Sequence, residues 1–350
     1  MSPKKNYILY PISGLYGTIL KGRHWLYNKG ILKSTGFNFP IICVGNLALG
    51  GTGKTPMTEY LVTLLKSNYN VATLSRGYKR KTKGFAIAGE RTTAIEIGDE
   101  PMQFHKKFPD ITVAVGEERL IAIPQLLHDR PETQVIILDD AFQHRPVKAG
   151  LNILLTAYHA LYTEDALVPV GGLRDIPSSA ERAEIIVVTK CPETLSVSSR
   201  NQIIAKLKLK PNQSIYFTSL TYSAPQHLFT GKSYLPNGND SVLLISGIAQ
   251  PEPLIQFVNK QYQQVDWMQF PDHHIFNIDD LQHIRTRFEK IQSAQKIVLT
   301  TEKDGVRLEK FAKELTGFPV YVLPVRHTFL FNEESNFNQK IQRFVETFQS

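Results

Sequence analysis

Residues 41–56 read IICVGNLALGGTGKTP, an apolar run that passes directly into a glycine-rich loop. Beyond the loop, Met57, Leu61 and Leu65 recur at helical spacing. A strand, a glycine-rich loop and a helix in this order form the context that a phosphate-binding loop requires. We therefore predict that a nucleotide binds to residues Ala48, Leu49, Gly50, Gly51, Thr52, Gly53, Lys54 and Thr55.

The residue types of this loop suit phosphate chemistry. Glycines allow successive backbone N–H groups to point at the phosphates, at a helix N-terminus whose dipole favours anions. Lys54 would reach the terminal phosphates, and the Thr55 hydroxyl would hold Mg²⁺. Ala48 stands where the generic pattern has its first glycine. Since the flanking strand and helix are correct, a chance glycine-rich turn is the weaker interpretation.

Two adjacent carboxylates offer a second anchor for the metal. Asp139 and Asp140 follow the apolar run 135–138, and ligands of open α/β sheets bind at the carboxyl ends of the strands. One carboxylate would hold the Mg²⁺ shell while the other adds charge or orients water; alternatively, the pair merely ends a strand. The guanine-reading pattern, Asn or Thr followed by Lys-x-Asp, is not met, because Pro192 replaces its Asp. The expected nucleotide and metal are therefore ATP and Mg²⁺.

Short apolar runs alternate with helix-length segments along the chain. They cover residues 41–44, 71–74, 111–115, 135–138, 151–155 and 185–188, and then 242–246, 296–300 and 320–323. Such alternation predicts βαβ units and a mostly parallel sheet. We predict an α/β fold with a P-loop NTPase-like kinase domain at 40–220 and a second, smaller α/β domain at 241–350. The stretch 221–240, rich in Ser, Pro, Gly and Asn, is the expected linker.

Composition and charge narrow the class of protein. Apolar residues make up 42% and charged residues 21% of the 350, which excludes disordered and coiled-coil proteins. No apolar run reaches the ~18 residues of a membrane-spanning helix, and two cysteines argue against a disulfide scaffold or a structural zinc site. Residues 1–58 hold seven basic and no acidic residues, and the whole chain has a net charge of +8. Charge concentrated at one end is not typical of a nucleic-acid binder.

Residues 1–39 combine this charge with an amphipathic helical pattern. The apolar members are Tyr7, Ile8, Leu9, Ile12, Leu15, Tyr16, Ile19 and Leu20, followed by Trp25, Leu26 and Tyr27. Lys21, Arg23 and Lys29 lie among them. An apolar face with neighbouring cations suits a helix lying in a membrane interface. The alternative is a helix that docks on the protein's own core.

Motifs that occur in a fixed order along the chain resemble those of one family. They are the loop from Val44-Gly45-Asn46 to Thr55-Pro56, Ser75-Arg76-Gly77-Tyr78, Gly98-Asp99-Glu100-Pro101, Asp139-Asp140-Ala141-Phe142-Gln143-His144-Arg145, Phe270-Pro271-Asp272-His273, and Thr301 with Lys303-Asp304. In this combination the chain strongly resembles the tetraacyldisaccharide 4′-kinase (lipid A 4′-kinase) family. The resemblance extends from the N-terminal helix to about residue 305.

The resemblance implies a reaction and a location. The expected reaction transfers the γ-phosphoryl group of ATP to the 4′-hydroxyl of a tetraacyldisaccharide 1-phosphate. The family has two α/β domains joined by a strand-like linker and works peripherally at the cytoplasmic face of the bacterial inner membrane. The expected partners are thus the acylated disaccharide and an anionic membrane surface, with no nucleic acid, and we expect a monomer. A lipid substrate also favours membrane contact by the N-terminal helix.

The resemblance also implies roles for individual residues. A sugar hydroxyl needs a group that accepts its proton, and Asp99 matches the proposed base of the family while His273 matches the histidine that pairs with it. Whether His273 or its neighbour His274 does so stays open, and the Asp99 motif could instead simply cap a helix. The expected substrate or phosphate contacts are Arg76, Tyr78, Arg119, Gln143, His144 and Arg174. Asp175 stands where the family more usually has Glu, which puts a direct metal contact there in doubt.

Two other classes of protein share parts of this pattern. A P-loop NTPase switch or chaperone that acts on a protein partner would keep the loop and the acidic pair but needs no base for a sugar hydroxyl. A soluble small-molecule kinase would share the chemistry but would not need an amphipathic N-terminal helix. The lipid kinase is the interpretation that uses all of these features.

Overall fold

Alternating strands and helices make up the part of the chain that the computed structural model describes, residues 7–237, 239–248, 251–272, 274–293 and 295–348. The strands are β1 (Thr35–Gly36), β2 (Ile41–Asn46), β3 (Val71–Ser75), β4 (Ala86–Ile87), β5 (Thr112–Val115), β6 (Val135–Asp139), β7 (Val147–Lys148), β8 (Leu151–Ala157), β9 (Ile185–Thr189), β10 (Ser214–Tyr222), β11 (Gln226–His227), β12 (Ser241–Ser246), β13 (Gln264–Gln269), β14 (Lys296–Thr301), β15 (Val320–Leu323) and β16 (Val325–Phe329). The α-helices are α1 (Tyr10–Asn28), α2 (Lys54–Leu65), α3 (Ala94–Ile97), α4 (Asp99–Lys107), α5 (Arg119–Asp129), α6 (Val197–Leu207), α7 (Glu252–Gln261), α8 (Ile278–Glu289), α9 (Glu302–Leu308) and α10 (Glu334–Glu346). Short 3₁₀ helices lie at Tyr7–Leu9, Pro177–Arg182 and Glu309–Phe311.

The larger sheet has the strand order β16-β10-β9-β8-β2-β6-β3-β5-β4. Its pairs from β10 to β5 are parallel, and the edge strand β4 is antiparallel. Strands β2, β3, β6 and β9 are buried along their whole length, because core residues pack on both faces of the sheet. This burial explains their continuous apolar runs and confirms the predicted α/β fold. The phosphate loop after β2 and the carboxylates after β6 therefore follow neighbouring strands at the same sheet edge.

The smaller sheet has the order β11-β15-β14-β12-β13. Its four main strands are parallel, while β11 joins the edge in antiparallel fashion. Apolar side chains cover both faces, in two clusters centred on Leu243 and on Leu244. Successive side chains of β12 thus pack into two separate hydrophobic clusters, one on each face of the sheet, as expected for a parallel sheet between helices.

The chain divides into two compact units, and the division differs from the predicted boundaries. The first unit comprises Met1–Thr221 and Arg326–Ser350, and the second comprises Tyr222–Val325. We expected the second domain to run over 241–350 after a linker at 221–240. Instead, the chain returns to the first unit, because β16 extends the larger sheet next to β10. The predicted N-terminal segment 1–39 groups with the first unit.

The C-terminal helix completes the core of the first unit. Phe337 and Ile341 of α10 are fully buried in the same cluster as Met57 and Leu61 of α2. The Tyr60 hydroxyl of α2 donates to Asn338 Oδ1 at 2.7 Å. The returning segment therefore covers the helix that follows the phosphate loop. In the described residues, no helix is long and apolar enough to cross a membrane.

Candidate active site

The phosphate loop is anchored at its last residues. Gly53 is the N-cap of α2 and has φ = +82°, a left-handed conformation that suits glycine. Asn46 Nδ2 donates to the Thr52 hydroxyl at 2.7 Å, and the Thr189 hydroxyl donates to the Thr52 carbonyl at 2.8 Å. These two bonds tie the loop to the ends of β2 and β9. The predicted loop thus stands at a helix N-terminus, with the Thr52 side chain held from β2 and the Thr52 carbonyl held from β9.

A buried histidine holds the next residue of the loop. His327 on β16 is only 3% exposed, and its Nε2 lies 2.9 Å from the Gly53 carbonyl oxygen. Because a carbonyl only accepts, Nε2 carries the hydrogen, and Nδ1 accepts from the Thr218 hydroxyl at 2.9 Å. Burial lowers the pKa of His327 to about 4, so the ring is neutral near pH 7. The sequence analysis missed His327, because a lone histidine in a strand carries no signal of a distant partner.

The two carboxylates after β6 have different environments. Asp139 is 2% exposed and accepts from the Thr58 hydroxyl at 3.0 Å. Burial, with the nearby carboxylates of Glu100 and Asp140, raises the pKa of Asp139 to about 7. Asp140 adopts φ = +50°. Burial disfavours its charged form, but Lys54 and Arg174 outweigh that effect and hold the pKa of Asp140 below its usual range.

Two predicted cations meet on Asp140. Lys54 Nζ lies 3.6 Å from Asp140 Oδ1. The Arg174 guanidinium binds both carboxylate oxygens of Asp140, and its Nη2 also donates to Asn46 Oδ1 at 2.7 Å. Lys54, Asp140 and Arg174 are therefore brought together directly beside the phosphate loop. Such a pair of cations can bind the negatively charged oxygens of a phosphoryl group.

The donor set near the loop fits Mg²⁺. Thr55, Asp139 and Asp140 offer only oxygen atoms, which this hard cation prefers. Burial and the nearby carboxylates of Glu100 and Asp140 raise the pKa of Asp139, and a divalent cation bound beside it would oppose both effects. In the described part of the chain, no group of three or more His, Cys, Asp or Glu side chains could hold a metal ion. In a magnesium–nucleotide site, one or two carboxylates are joined by phosphates and water.

A second group of predicted residues lies around Arg119, the first residue of α5. Arg119 is 2% exposed, and its Nε has no hydrogen-bond partner among the residues that the structure describes. Burial and the nearby Arg76 lower the pKa of Arg119. Burial and nearby Arg119, Arg23 and Arg76 hold the pKa of His144 at about 4. Arg23 on α1 is thus a further cation in this group that the sequence analysis did not select.

Gln143 and His144 each present an unused polar atom. Gln143 Nε2 donates to the Asn46 carbonyl at 2.7 Å, which fixes the side chain beside the phosphate loop. Gln143 Oε1 and His144 Nε2 are buried, and neither has a hydrogen-bond partner within the described residues. A buried polar atom without a partner is costly. These two atoms, with the Arg119 Nε, are therefore suited to contact a bound polar group.

Asp99 is the first residue of α4 and follows Gly98, which has φ = +93°. A Cβ atom added to Gly98 would lie 3.0 Å from the Tyr78 carbonyl oxygen. The start of α4 therefore packs against the loop that carries Arg76 and Tyr78, whose side chains are exposed. The structure thus places these three predicted residues in adjoining segments. The helix dipole favours a carboxylate at the position of Asp99.

Residues 76–83 form a basic run with five cations, Arg76, Lys79, Arg80, Lys81 and Lys83, and these differ in burial. Arg80 is nearly fully buried and donates to Glu117 Oε1 at 2.7 Å. This ion pair holds the loop against the segment before α5. Arg80 is therefore structural, whereas Arg76 and Tyr78 point to solvent. The exposed cations are the ones available to a phosphate or to an anionic surface.

Asp175 has partners other than the metal-site residues. It is 1% exposed, and its Oδ1 accepts from His24 Nε2 at 2.7 Å and from the Ser179 hydroxyl at 3.0 Å. Burial opposes ionisation, but these hydrogen bonds, chiefly that from His24, hold the pKa of Asp175 below its usual value. Arg145 donates to His24 Nδ1 at 2.9 Å. Asp175 and Arg145 therefore dock α1 on the first unit.

In the second unit, the structure describes His274 but not its neighbour His273. His274 Nε2 lies 2.8 Å from Asp280 Oδ2, and its ring packs on Phe270 and Phe276. His274 therefore stabilises the start of α8. His273 lies outside the described residues. Asp304, from the Thr301 motif, is buried and accepts from the Gly247 N–H at 2.9 Å, which is a structural contact.

The chain is similar to one family over nearly its whole length. A family model described as Tetraacyldisaccharide-1-P 4′-kinase matches residues 5–346. A tetraacyldisaccharide 4′-kinase of Bacteroides thetaiotaomicron is 44% identical over 352 residues, which cover 96% of this chain and 92% of that protein. A tetraacyldisaccharide 4′-kinase of Flavobacterium johnsoniae is 46% identical over 341 residues, which cover 97% and 96%.

A solved structure is similar to this chain over nearly its whole length. It is the "apo" form of LpxK from Aquifex aeolicus in complex with ATP, with a TM-score of 0.74 and 29% identity. The match covers 96% of this chain and 98% of that one. The likeness includes both units of the chain and reaches well beyond the phosphate loop.

Proposed function

The chain belongs to the tetraacyldisaccharide-1-P 4′-kinase family, and from this premise we propose how its own residues carry out the reaction. The enzyme uses ATP with Mg²⁺ to phosphorylate the 4′-position of a tetraacyldisaccharide 1-phosphate in lipid A biosynthesis. The near-complete match to kinases disfavours an NTPase switch that acts on a protein. The roles below are assigned to residues of this chain.

The observation that supports this proposal most directly is that Lys54 and Arg174 both contact Asp140. Charge spreads over the oxygens of a phosphoryl group during transfer, and both cations are held at the loop where the terminal phosphates would lie. Lys54 binds the terminal phosphates, and Arg174 stabilises the transferred group. Residues 48–53 bind the remaining phosphates through backbone N–H groups other than that of Leu49, which donates to the Gly172 carbonyl.

Thr55, Asp139 and Asp140 are the residues that hold the metal. When bound, Mg²⁺ neutralises phosphate charge and helps align the terminal phosphoryl group. The Thr58 hydroxyl fixes one oxygen of Asp139, so the carboxylate is oriented by its own protein. His327 and Asn46 keep the adjoining loop residues in place.

Asp99 accepts the proton of the acceptor hydroxyl. Its place at the start of α4, against the loop of Arg76 and Tyr78, supports this role, because a carboxylate near the phosphate-binding cations can orient a neutral hydroxyl. The pairing of Asp99 with His273 stays a prediction. It is favoured over a pairing with His274, since His274 is already bonded to Asp280.

The acceptor's own phosphate and sugar groups are assigned to the second cationic group. Arg76 and Tyr78 are exposed, and Arg119, Gln143 and His144 carry buried atoms without partners in the described structure. A neutral His144, held so by its low pKa, can donate to a phosphate or hydroxyl oxygen. These five residues are therefore proposed to contact substrate.

The reaction is tested by following the γ-phosphate of labelled ATP into the acceptor in detergent micelles. We expect label in the lipid only when ATP, Mg²⁺ and the tetraacyldisaccharide 1-phosphate are all present, and none after chelation of Mg²⁺ with excess EDTA. Restored Mg²⁺ should restore transfer. Label that appears only as free phosphate, at a rate independent of acceptor, would contradict the proposal.

We also propose that α1 contacts an anionic membrane, so that the enzyme works peripherally, as a monomer, at the cytoplasmic face. Ile12, Leu15 and Ile19 share one face of α1 and are 57%, 64% and 61% exposed. The exposed Lys21 lies next along the helix, and the exposed Lys29 follows its end. Exposed aliphatic residues beside cations are suited to a headgroup boundary.

The double substitution Ile12→Ser with Ile19→Ser should weaken binding to vesicles that contain anionic lipid by about 10²-fold, because each removes most of an inserted aliphatic side chain. Vesicle flotation measures this. The control is Val197→Ser with Leu235→Ser, which removes two aliphatic residues elsewhere that are 60% and 82% exposed. Equal loss of binding in both variants, or none in either, contradicts membrane contact through α1.

A further inference from the structure

Helix α1 has a second face whose contacts lead to one segment of the first unit. Ser13 and Gly17 are buried on this face. The Ser13 hydroxyl donates to the Leu167 carbonyl at 2.9 Å, and a Cβ added to Gly17 would lie 2.9 Å from Leu167 Cδ1. The Tyr16 hydroxyl donates to the Arg174 carbonyl at 2.8 Å. We call residues 165–176 the bracket segment.

The bracket segment is also bound by the next turns of α1. His24 is buried and donates from Nε2 to Asp175 Oδ1 at 2.7 Å. Arg145 fixes this orientation of the ring, because its guanidinium can only donate and occupies Nδ1. The Arg145 guanidinium also stacks over the Tyr27 ring, 4.7 Å from its centroid. Helix α1 thus contacts the bracket segment near both of its ends.

On its other side, the bracket segment pairs with the backbone at the start of the phosphate loop. Ala48 and Leu173 form an antiparallel bridge. The Leu49 N–H donates to the Gly172 carbonyl at 2.9 Å, and the Arg174 N–H donates to the Leu47 carbonyl at 2.8 Å. The first residues of the phosphate loop are therefore paired with the bracket segment as a short ladder.

Arg174 takes part both in the contact of the bracket segment with α1 and in its contact with the phosphate loop. Its carbonyl accepts from Tyr16, its N–H donates to Leu47, and its guanidinium binds Asp140. A shift of α1 would therefore move both the backbone partner of the phosphate loop and the cation assigned to the phosphoryl group. A small displacement of a positioned group is enough to weaken phosphate binding.

We infer that the inner face of α1 is a structural part of the nucleotide site, and that Tyr16, Gly17 and His24 are positioning residues for the phosphate loop and Arg174. The affinity for ATP then depends on α1 even when no lipid is present. This inference does not require membrane contact by the outer face. A helix that served only as an anchor would leave ATP binding unchanged.

A matched pair of glycines tests the inference. A Cβ at Gly14 meets nothing within 4 Å, whereas one at Gly17 meets Leu167. Gly17→Leu should raise the dissociation constant for MgATP by about tenfold or more, and Gly14→Leu should leave it within about twofold. Isothermal titration of the full-length protein without lipid measures both, and thermal unfolding shows that both variants are folded. Equal affinities in the two variants would overturn the inference.

A pair of hydroxyl deletions gives the same test without added bulk. Tyr16→Phe removes the bond to the bracket segment, while Thr18→Ala removes one that stays within α1, to the Gly14 carbonyl at 3.0 Å. Tyr16→Phe should weaken MgATP binding about fivefold, the size of one neutral hydrogen bond, and Thr18→Ala should not.

His24→Ala should raise the KM for ATP more than it lowers kcat, with partial recovery in His24→Gln, which can still donate to Asp175. Wild-type affinity in a folded Tyr16→Phe, with no change of KM in His24→Ala, refutes the role.

Discussion

Lys54→Ala should lower the rate of phosphoryl transfer by at least about 10²-fold. The Lys54 side chain is only 12% exposed, so its charge acts on bound phosphates with little screening by water. Removal of one preorganised group that stabilises developing charge costs about 10²–10³ in kcat. Transfer of labelled γ-phosphate to the lipid acceptor, at saturating ATP, measures this loss.

The control for this variant lies at the other end of the same helix. Lys66 follows α2 and pairs with Asp110 on the surface, at 2.8 Å. Exposed ion pairs contribute little, so Lys66→Ala should keep the transfer rate within about twofold of wild type. A folded Lys54→Ala protein that transfers phosphate at more than a tenth of the wild-type rate would show that Lys54 does not bind the reacting phosphates.

Asp99→Asn should lower kcat by about 10²–10⁴-fold, the usual contribution of a positioned general base. The amide keeps the size of the carboxylate but cannot take the proton of the 4′-hydroxyl. Because Asp99 lies on α4 and not in the phosphate loop, the KM for ATP should change by less than about threefold. Steady-state kinetics with both substrates varied separates these two effects.

Asp110→Asn is the matched control for the loss of one carboxylate. Asp110 is 51% exposed, and its substitution should leave kcat unchanged. If Asp99→Asn raised the KM for the acceptor and left kcat intact, Asp99 would be a binding group and the proton would go elsewhere. If it raised the KM for ATP alone, Asp99 would belong to the nucleotide site.

The central strands could be predicted from sequence because they are buried on both faces. Strands β2, β3, β6 and β9 contain almost only apolar residues, so each produces a continuous run. The missed strands β10, β13 and β16 lie at or next to a sheet edge, and polar residues interrupt their patterns. The return of the chain to the first unit depends on β16 and was therefore missed as well.

The candidate site could be predicted as far as its residues form local motifs. Lys54, Asp140 and Arg174 each stand in a recognisable stretch, and the structure brings them together. The bonds of His327 to Gly53 and of Thr189 to Thr52 join residues far apart in the chain. Such pairs leave no pattern in one sequence, because only the fold sets their distance.

The positions of charged residues in the sequence predicted fewer contacts of the site than the local motifs did. Arg76 and Arg80 stand four residues apart in the same basic run, yet Arg80 is buried against Glu117 and Arg76 is exposed. Likewise, Arg145 and Asp175 adjoin site motifs but dock α1. A sequence reports that a charge exists, but its partner depends on tertiary packing.

The return of the chain at Arg326 has a consequence for synthesis on the ribosome. The larger sheet and the core around α2 include β16 and α10, and these leave the exit tunnel after the second unit does. Until then, Tyr216 and Met57 lack the apolar cover that Phe329 and Phe337 provide in the finished core. The second unit, whose ends meet through the bond from the Ser223 N–H to the Pro324 carbonyl at 2.9 Å, is complete before the first. The inserted second unit can therefore fold while the first unit still lacks β16 and α10.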